Sequence, residues 1–137
     1  MYGAGRNGKS QYAELICRFV GIGNTTATEL EKVIDSRFEA SKLYTKLVAL
    51  IGETNFTAIK SSARIKALTG ADWITGEFKN KDPFDFKNNA KITISTNNVP
   101  ESLDKTEAFY SRCIIQEFKN RFDDGKPVID LIPESEY

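Results

Sequence analysis

Residues 3–10 read Gly-Ala-Gly-Arg-Asn-Gly-Lys-Ser. They satisfy every constrained position of the pattern Gly-x-x-x-x-Gly-Lys-Ser/Thr. Gly3 and Gly8 allow a tight turn whose backbone N–H groups face inward toward phosphate oxygens. Lys9 is expected to reach the β- and γ-phosphates, and Ser10 to offer its hydroxyl to Mg²⁺. Gly5 and Asn7 complete the nucleotide-binding set. A helix is expected from about Gly8, adding its positive end to the anion site. Only four positions are constrained, so the loop alone supports nucleotide binding and nothing finer.

Three later residues could add chemistry. Glu53 follows a run, residues 46–52, that reads as a buried strand. A nucleotide-hydrolysing fold places there a carboxylate that polarises water or holds the metal. The plain alternative is a charged strand end, and the phosphate loop favours the catalytic reading. Asn97 ends the strand that begins at Lys91. Ligands of open α/β sheets lie beyond such strand ends, although turn geometry before Pro100 explains an Asn equally simply. Arg112 follows a short helix. It could neutralise transition-state charge on a neighbour's nucleotide, or sit on the surface, or pair with Asp104; spacing does not separate these.

The elements that must position these residues follow from pattern. Residues 9–20 read as the helix after the loop, with Leu15, Ile16, Phe19 and Val20 as apolar contacts. Thr26 and Glu29 have capping-box spacing, which predicts a helix to about Ile34. A second short helix is expected over residues 36–44. The run Leu47-Val-Ala-Leu-Ile51 suits a central parallel strand buried on both faces. Residues 58–68 have helical spacing and stop at Thr69-Gly70. Residues 72–86 read as two strands around the charged loop 79–83, a hairpin-like insertion. Residues 91–96 alternate as a strand, residues 103–110 suit a short helix, and residues 112–118 are expected to be a last strand. Only Met1 and Tyr2 precede the loop, whereas the strand feeding it needs about five residues. An N-terminally truncated core over residues 1–122 is therefore expected, followed by an acidic tail over 123–137 lying loosely on the surface. The fold class is α/β, with a mostly parallel central sheet lacking most of its first strand.

The chain has 137 residues, suited to one domain. Its 19 basic and 19 acidic residues balance, which argues against chain-wide attraction to nucleic acid. From Lys60 to Lys91, however, seven basic residues face four acids, a local surplus that could serve DNA, although charge alone favours an ordinary solvated face. There is no histidine, which disfavours zinc. Cys17 and Cys113 are expected to be reduced and buried, as in a cytoplasmic protein. No stretch of about 18 apolar residues is present, so no membrane span is expected.

The loop, Leu-Val-Ala-Leu-Ile-Gly-Glu53, Lys66-Ala-Leu-Thr-Gly-Ala-Asp72, Lys91-Ile-Thr-Ile-Ser-Thr-Asn-Asn-Val-Pro100 and Phe109-Tyr-Ser-Arg-Cys-Ile-Ile-Gln-Glu-Phe118 occur in an order that resembles superfamily 3 helicases. The similarity is to the phage, plasmid and archaeal-virus branch related to the poxvirus primase-helicase. It implies an AAA+-like P-loop core that uses ATP and Mg²⁺ to move on single-stranded DNA. It implies a hexameric ring in the parent protein, a primase or origin-binding domain upstream, and the cytoplasm of a prokaryotic host. Glu53 matches the Walker B acid, with Ser10 and Glu53 as Mg²⁺ ligands. Asn97 matches the polar sensor, and Arg112 the arginine finger acting in trans. The block from Lys66 to Lys79 resembles the B-prime motif, which implies that Lys66, Lys79 and Lys81 meet DNA. Gly52 stands where many relatives have a second acid, and Ser111 where many have a second arginine. Two other readings compete: a non-catalytic truncated or degenerate ATPase module, and a P-loop small-molecule kinase, against which no arginine-rich lid is evident.

Overall fold

The computed structural model describes residues 1–52, 62–98, 107–122 and 128–136. Helix α1 (Lys9–Val20) starts directly after Gly8 and ends at Gly21. Strand β1 (Thr25–Thr28) follows, then the short helices α2 (Leu30–Asp35) and α3 (Arg37–Ala40). Strand β2 (Val48–Ile51) leads to α4 (Ser62–Thr69). Strands β3 (Trp73–Gly76) and β4 (Phe84–Lys87) form an antiparallel hairpin, with Ile74 opposite Phe86. Strand β5 (Lys91–Ile94) and helix α5 (Glu107–Tyr110) complete the regular elements before 3₁₀ turns at Val128–Leu131 and Glu134–Glu136.

The main sheet is parallel, in the order β1-β2-β5. Val48 pairs with Thr25 on one side and Lys91 on the other. The apolar run around β2 thus takes the central position expected of it, with Ala49 and Ile51 almost fully buried. The core gathers Val33, Leu43, Ala49, Leu68, Ile74 and Phe86, so the hairpin is seated on the same core as the sheet. Leu30 and Ile51 form a second buried pair against Ile65, Ile92 and Ile94. Buried Asn88 joins the two parts: its amide donates to the Leu68 and Ala90 carbonyls at 2.8 and 3.0 Å and accepts from the Ala90 N–H at 3.0 Å.

The two residues before the loop extend the sheet. The Met1 carbonyl accepts from the Thr96 N–H at 3.1 Å, the Tyr2 N–H donates to Gln116, and the Tyr2 carbonyl accepts from Phe118, both at 2.9 Å. Tyr2 therefore bridges Thr96 on one side and Glu117 on the other, in parallel sense.

Several expectations are corrected. Thr26 does not open a helix; it lies in β1, and α2 starts four residues later behind Glu29, whose side chain makes no cap. β-Branched threonines beside a waiting strand gain a full ladder, which outweighs a lone capping box. The cap that does form is Ser36, whose hydroxyl accepts from the Glu39 N–H at the start of α3. Residues 112–118 are not a strand: among the described residues only Glu117 makes a ladder bridge, to Tyr2. Cys113 is exposed, while Cys17 is buried as expected. Burial first, then the nearby Glu14 carboxylate, push the Cys17 thiol pKa up, which keeps it protonated and unreactive. Phe19 is 73% exposed rather than a packing contact. Of the segment expected to lie loose, the turn at Val128–Leu131 docks on α1: Ile129 is buried, and Asp130 pairs with Arg18 of α1 at 3.4 Å. No helix among the described residues is long and apolar enough to cross a membrane.

Candidate nucleotide site

The loop before α1 is built from unusual backbone. Gly3 has φ +145° and Gly8 φ +86°, both on the side of the map that glycine tolerates. Between them Arg6 holds φ +58° without being glycine, strain of the kind that concentrates at functional turns. At Gly3 space matters as well: a Cβ there would stand 2.5 Å from both the Asn7 amide nitrogen and the Phe118 carbonyl.

Lys9 is the centre of this loop. It is 8% exposed, a costly place for an ammonium unless its protons are accepted. Three loop oxygens accept them: the Gly3 carbonyl, the Ala4 carbonyl at 3.3 Å and Asn7 Oδ1 at 3.1 Å. Asn7 is itself buried and uses its other end to donate to the Phe118 carbonyl at 3.1 Å. The Phe122 N–H closes a second tie, to the Arg6 carbonyl at 2.8 Å. The segment 116–122 therefore clamps the loop along its length. All three acceptors of Lys9 are neutral, so an anionic oxygen brought into the loop offers a stronger, charge-assisted bond.

A cavity of about 500 Å³ lies over this loop. Its walls come from residues 5–11 on one side and from Gly52, Ser95, Thr96 and Asn97 on the other. These are the residues just past the carboxyl ends of β2 and β5, where parallel sheets leave a crevice for ligands. Asn97 is thus brought to the loop. Ser10, exposed in the first turn of α1, faces the same space. Gly52 reaches it too, while Glu53 itself lies outside the described residues.

The other expected residues lie elsewhere. Arg112 is exposed and borders a different, apolar cavity against Ile92, Ile94 and Tyr110. It is not part of the wall of the loop's own cavity. Lys79 and Lys81 stand exposed on the loop joining β3 to β4, where Lys81 Nζ sits 5.9 Å from the Phe78 ring centre. Lys66 is half-buried on α4, separate from that loop. Sequence reasoning missed Arg6, Gln11 and Thr96, all of which line the cavity. Gln11 and Thr96 each adjoin a recognised position, which is the only signal they carried.

Solved structures of similar fold include three of the NrS-1 C-terminal region without ligand. The A form of residues 305–718 has a TM-score of 0.58 at 19% identity over 77% of this chain and 25% of that one. A second structure of the same residues has a TM-score of 0.62 at 21% identity, covering 77% and 26%. A further A-form structure has 0.57 at 17% identity, covering 81% and 32%. The chain spans about a quarter to a third of the length of these proteins, and the likeness is one of fold: a mixed α/β core with a parallel sheet and an antiparallel hairpin. A comparison with curated proteins gives no match. The family of unknown function DUF5906 matches residues 1–113, and the protein belongs to that family.

Proposed function

We propose that this chain is the ATPase core of a DNA helicase or translocase that serves replication of a mobile element. The observation that carries the reading is the buried Lys9, held by three neutral oxygens at the floor of a cavity ringed by α1 and the ends of β2 and β5. Such an arrangement favours a polyphosphate over any neutral ligand. The order of sequence blocks that resembles superfamily 3 helicases supplies the rest of the reading, and the fold shared with the NrS-1 C-terminal region is compatible with it.

In this reading Lys9 and the loop N–H groups hold the β- and γ-phosphates. The Ser10 hydroxyl and the Glu53 carboxylate would hold Mg²⁺, whose charge neutralises phosphate oxygens when bound. Glu53 also takes a proton from the attacking water. Asn97 reports the γ-phosphate from the strand end, and Arg112 serves a neighbouring subunit's site in a ring, in keeping with its distance from its own loop. Lys79 and Lys81, with Lys66, hold DNA phosphates, so binding is salt-sensitive and indifferent to sequence. The test is hydrolysis of Mg²⁺-ATP with and without single-stranded DNA. Stimulation by DNA that Lys9→Ala abolishes and Lys79→Ala blunts is the expected result. Hydrolysis indifferent to DNA would point to a small-molecule kinase or another P-loop enzyme, and its absence from the intact protein would leave a non-catalytic module.

A further inference from the structure

A second cavity, of about 400 Å³, adjoins the phosphate loop on the far flank of α1. The two cavities share Asn7, Gly8 and Gln11 as walls, so they form neighbouring compartments of one site. The second is mostly apolar and aromatic: Tyr12 and Leu15 come from α1, Phe118 and Phe122 from the clamping segment, and Ile129 and Ile132 from the last described turns, with Glu117, Lys119 and Asn120 also in its lining. Tyr12 and Phe118 meet edge to face at 5.7 Å. Phe122 stands over Gly8, its ring edge 3.8 Å from where a Cβ would be. Its volume falls in the range of small-molecule pockets, about 300–1,000 Å³.

One atom in this region is unsatisfied. The Gln11 side-chain oxygen is buried and has no hydrogen-bond donor among the described residues. A buried acceptor left without a partner destabilises the fold that holds it. Gln11 stands in the wall common to both compartments, so a ligand spanning them would pass it. The occupant must therefore offer an anionic end to Lys9, a donor to Gln11 and a flat apolar body to the aromatic rings. A nucleoside triphosphate has all three, the donor being a ribose hydroxyl or a ring amino group.

We infer that the compartment between α1, residues 117–122 and the Ile129–Ile132 turn is the nucleoside pocket of the phosphate-loop site, with Gln11 accepting a hydrogen bond from the nucleoside. This rests on the ATPase reading above. It also makes the turn at Ile129–Ile132 a wall of the nucleotide site, since Ile129 and Ile132 line the pocket and the Arg18–Asp130 pair pins them to α1.

Inorganic tripolyphosphate separates the two compartments, because it carries the phosphates and lacks the nucleoside. Calorimetric titration of the intact chain with Mg²⁺-ATP and with Mg²⁺-tripolyphosphate is compared for wild type, Gln11→Met and Phe122→Ala. Gln11→Met is expected to weaken ATP about three- to tenfold, and Phe122→Ala at least about fivefold, by loss of a base–ring contact. Tripolyphosphate affinity should stay within about twofold in both. Gln11→Met should also leave thermal stability equal or higher, since it removes an unsatisfied acceptor. Equal losses for both ligands, or none, would overturn the pocket while the phosphate loop stands. ATP binding no tighter than tripolyphosphate in wild type would do the same. If neither ligand bound wild type, the ATPase reading would fail and the pocket with it.

Discussion

Lys9 and Lys81 are both lysines beside a tight turn, and the protein treats them in opposite ways. Lys9 is nearly buried, bonded to three oxygens and fixed by Asn7, which is fixed in turn by Phe118. Lys81 is exposed and rests near one aromatic ring. The supports differ accordingly. The loop before α1 is held by hydrogen bonds reaching about 110 residues along the chain. The hairpin is held from beneath by aromatic packing: Phe78 stacks on Phe84 at 5.0 Å, and Tyr44 meets Phe84 and Phe86 edge-on at 5.0 and 5.5 Å. A desolvated lysine in a fixed cage suits one anion in one pose, because its geometry is set in advance. Solvated lysines on a firmly seated loop suit a succession of phosphates passing by, since each contact is weak and quickly exchanged.

The contrast can be broken by substitution, and the largest effect falls on the cage. Gly3→Val places a branched side chain at a positive φ and against the Phe118 carbonyl. It should destabilise the protein by about 3 kcal/mol, read from the urea midpoint, and abolish nucleotide binding. Unchanged stability would mean that the loop relaxes freely and is no cage. Next is Asn88→Ala, which leaves the Leu68 carbonyl and the Ala90 backbone groups without their buried partner. A loss of about 2 kcal/mol is expected. The chain's single tryptophan, Trp73, lies on the hairpin with Lys87 5.2 Å from its ring, so its fluorescence should report loosening there while ATP affinity holds.

Smaller effects belong to the exposed side. Lys79→Ala and Lys81→Ala should each change stability by less than about 0.5 kcal/mol. Each should lower the salt dependence of single-stranded DNA binding by about one unit of slope. A slope unchanged in both variants would remove the hairpin loop from the DNA path. Smallest is Arg37→Ala. It breaks the 3.5 Å pair between Arg37 and Glu77 near the hairpin's first strand. With Arg37 largely in water, thermal denaturation should register about 0.5 kcal/mol or less.

How much of this was legible in the sequence divides along similar lines. The glycine turn into α1, the central strand, the end of α4 at Thr69 and the hairpin could all be read, because each is encoded by a local pattern of glycines, apolar runs or alternation. Strand β1 could not. Thr25-Thr-Ala-Thr28 is polar in composition, and only the presence of β2 beside it turns threonine's β preference into a ladder. The segment 112–118 looked like a strand by its own residues, yet among the described residues it makes a single ladder bridge, from Glu117 to Tyr2. The pairing of Asn7 with Phe118, and the pocket joining Gln11 to Ile129, depend on residues more than a hundred positions apart. Acidic neighbours masked the two isoleucines that dock the last turns. The site candidates Asn97 and Ser10 meet at the loop cavity, whereas Glu53 lies outside the described residues and Arg112 faces another surface.

The central claim is that the cage around Lys9 is a nucleotide-phosphate site. Titration calorimetry of Mg²⁺-ATP into wild type, Lys9→Ala and Lys79→Ala tests it most directly. The account predicts that Lys9→Ala abolishes binding while Lys79→Ala binds as wild type does. Equal binding by all three proteins, or none by wild type, would contradict it.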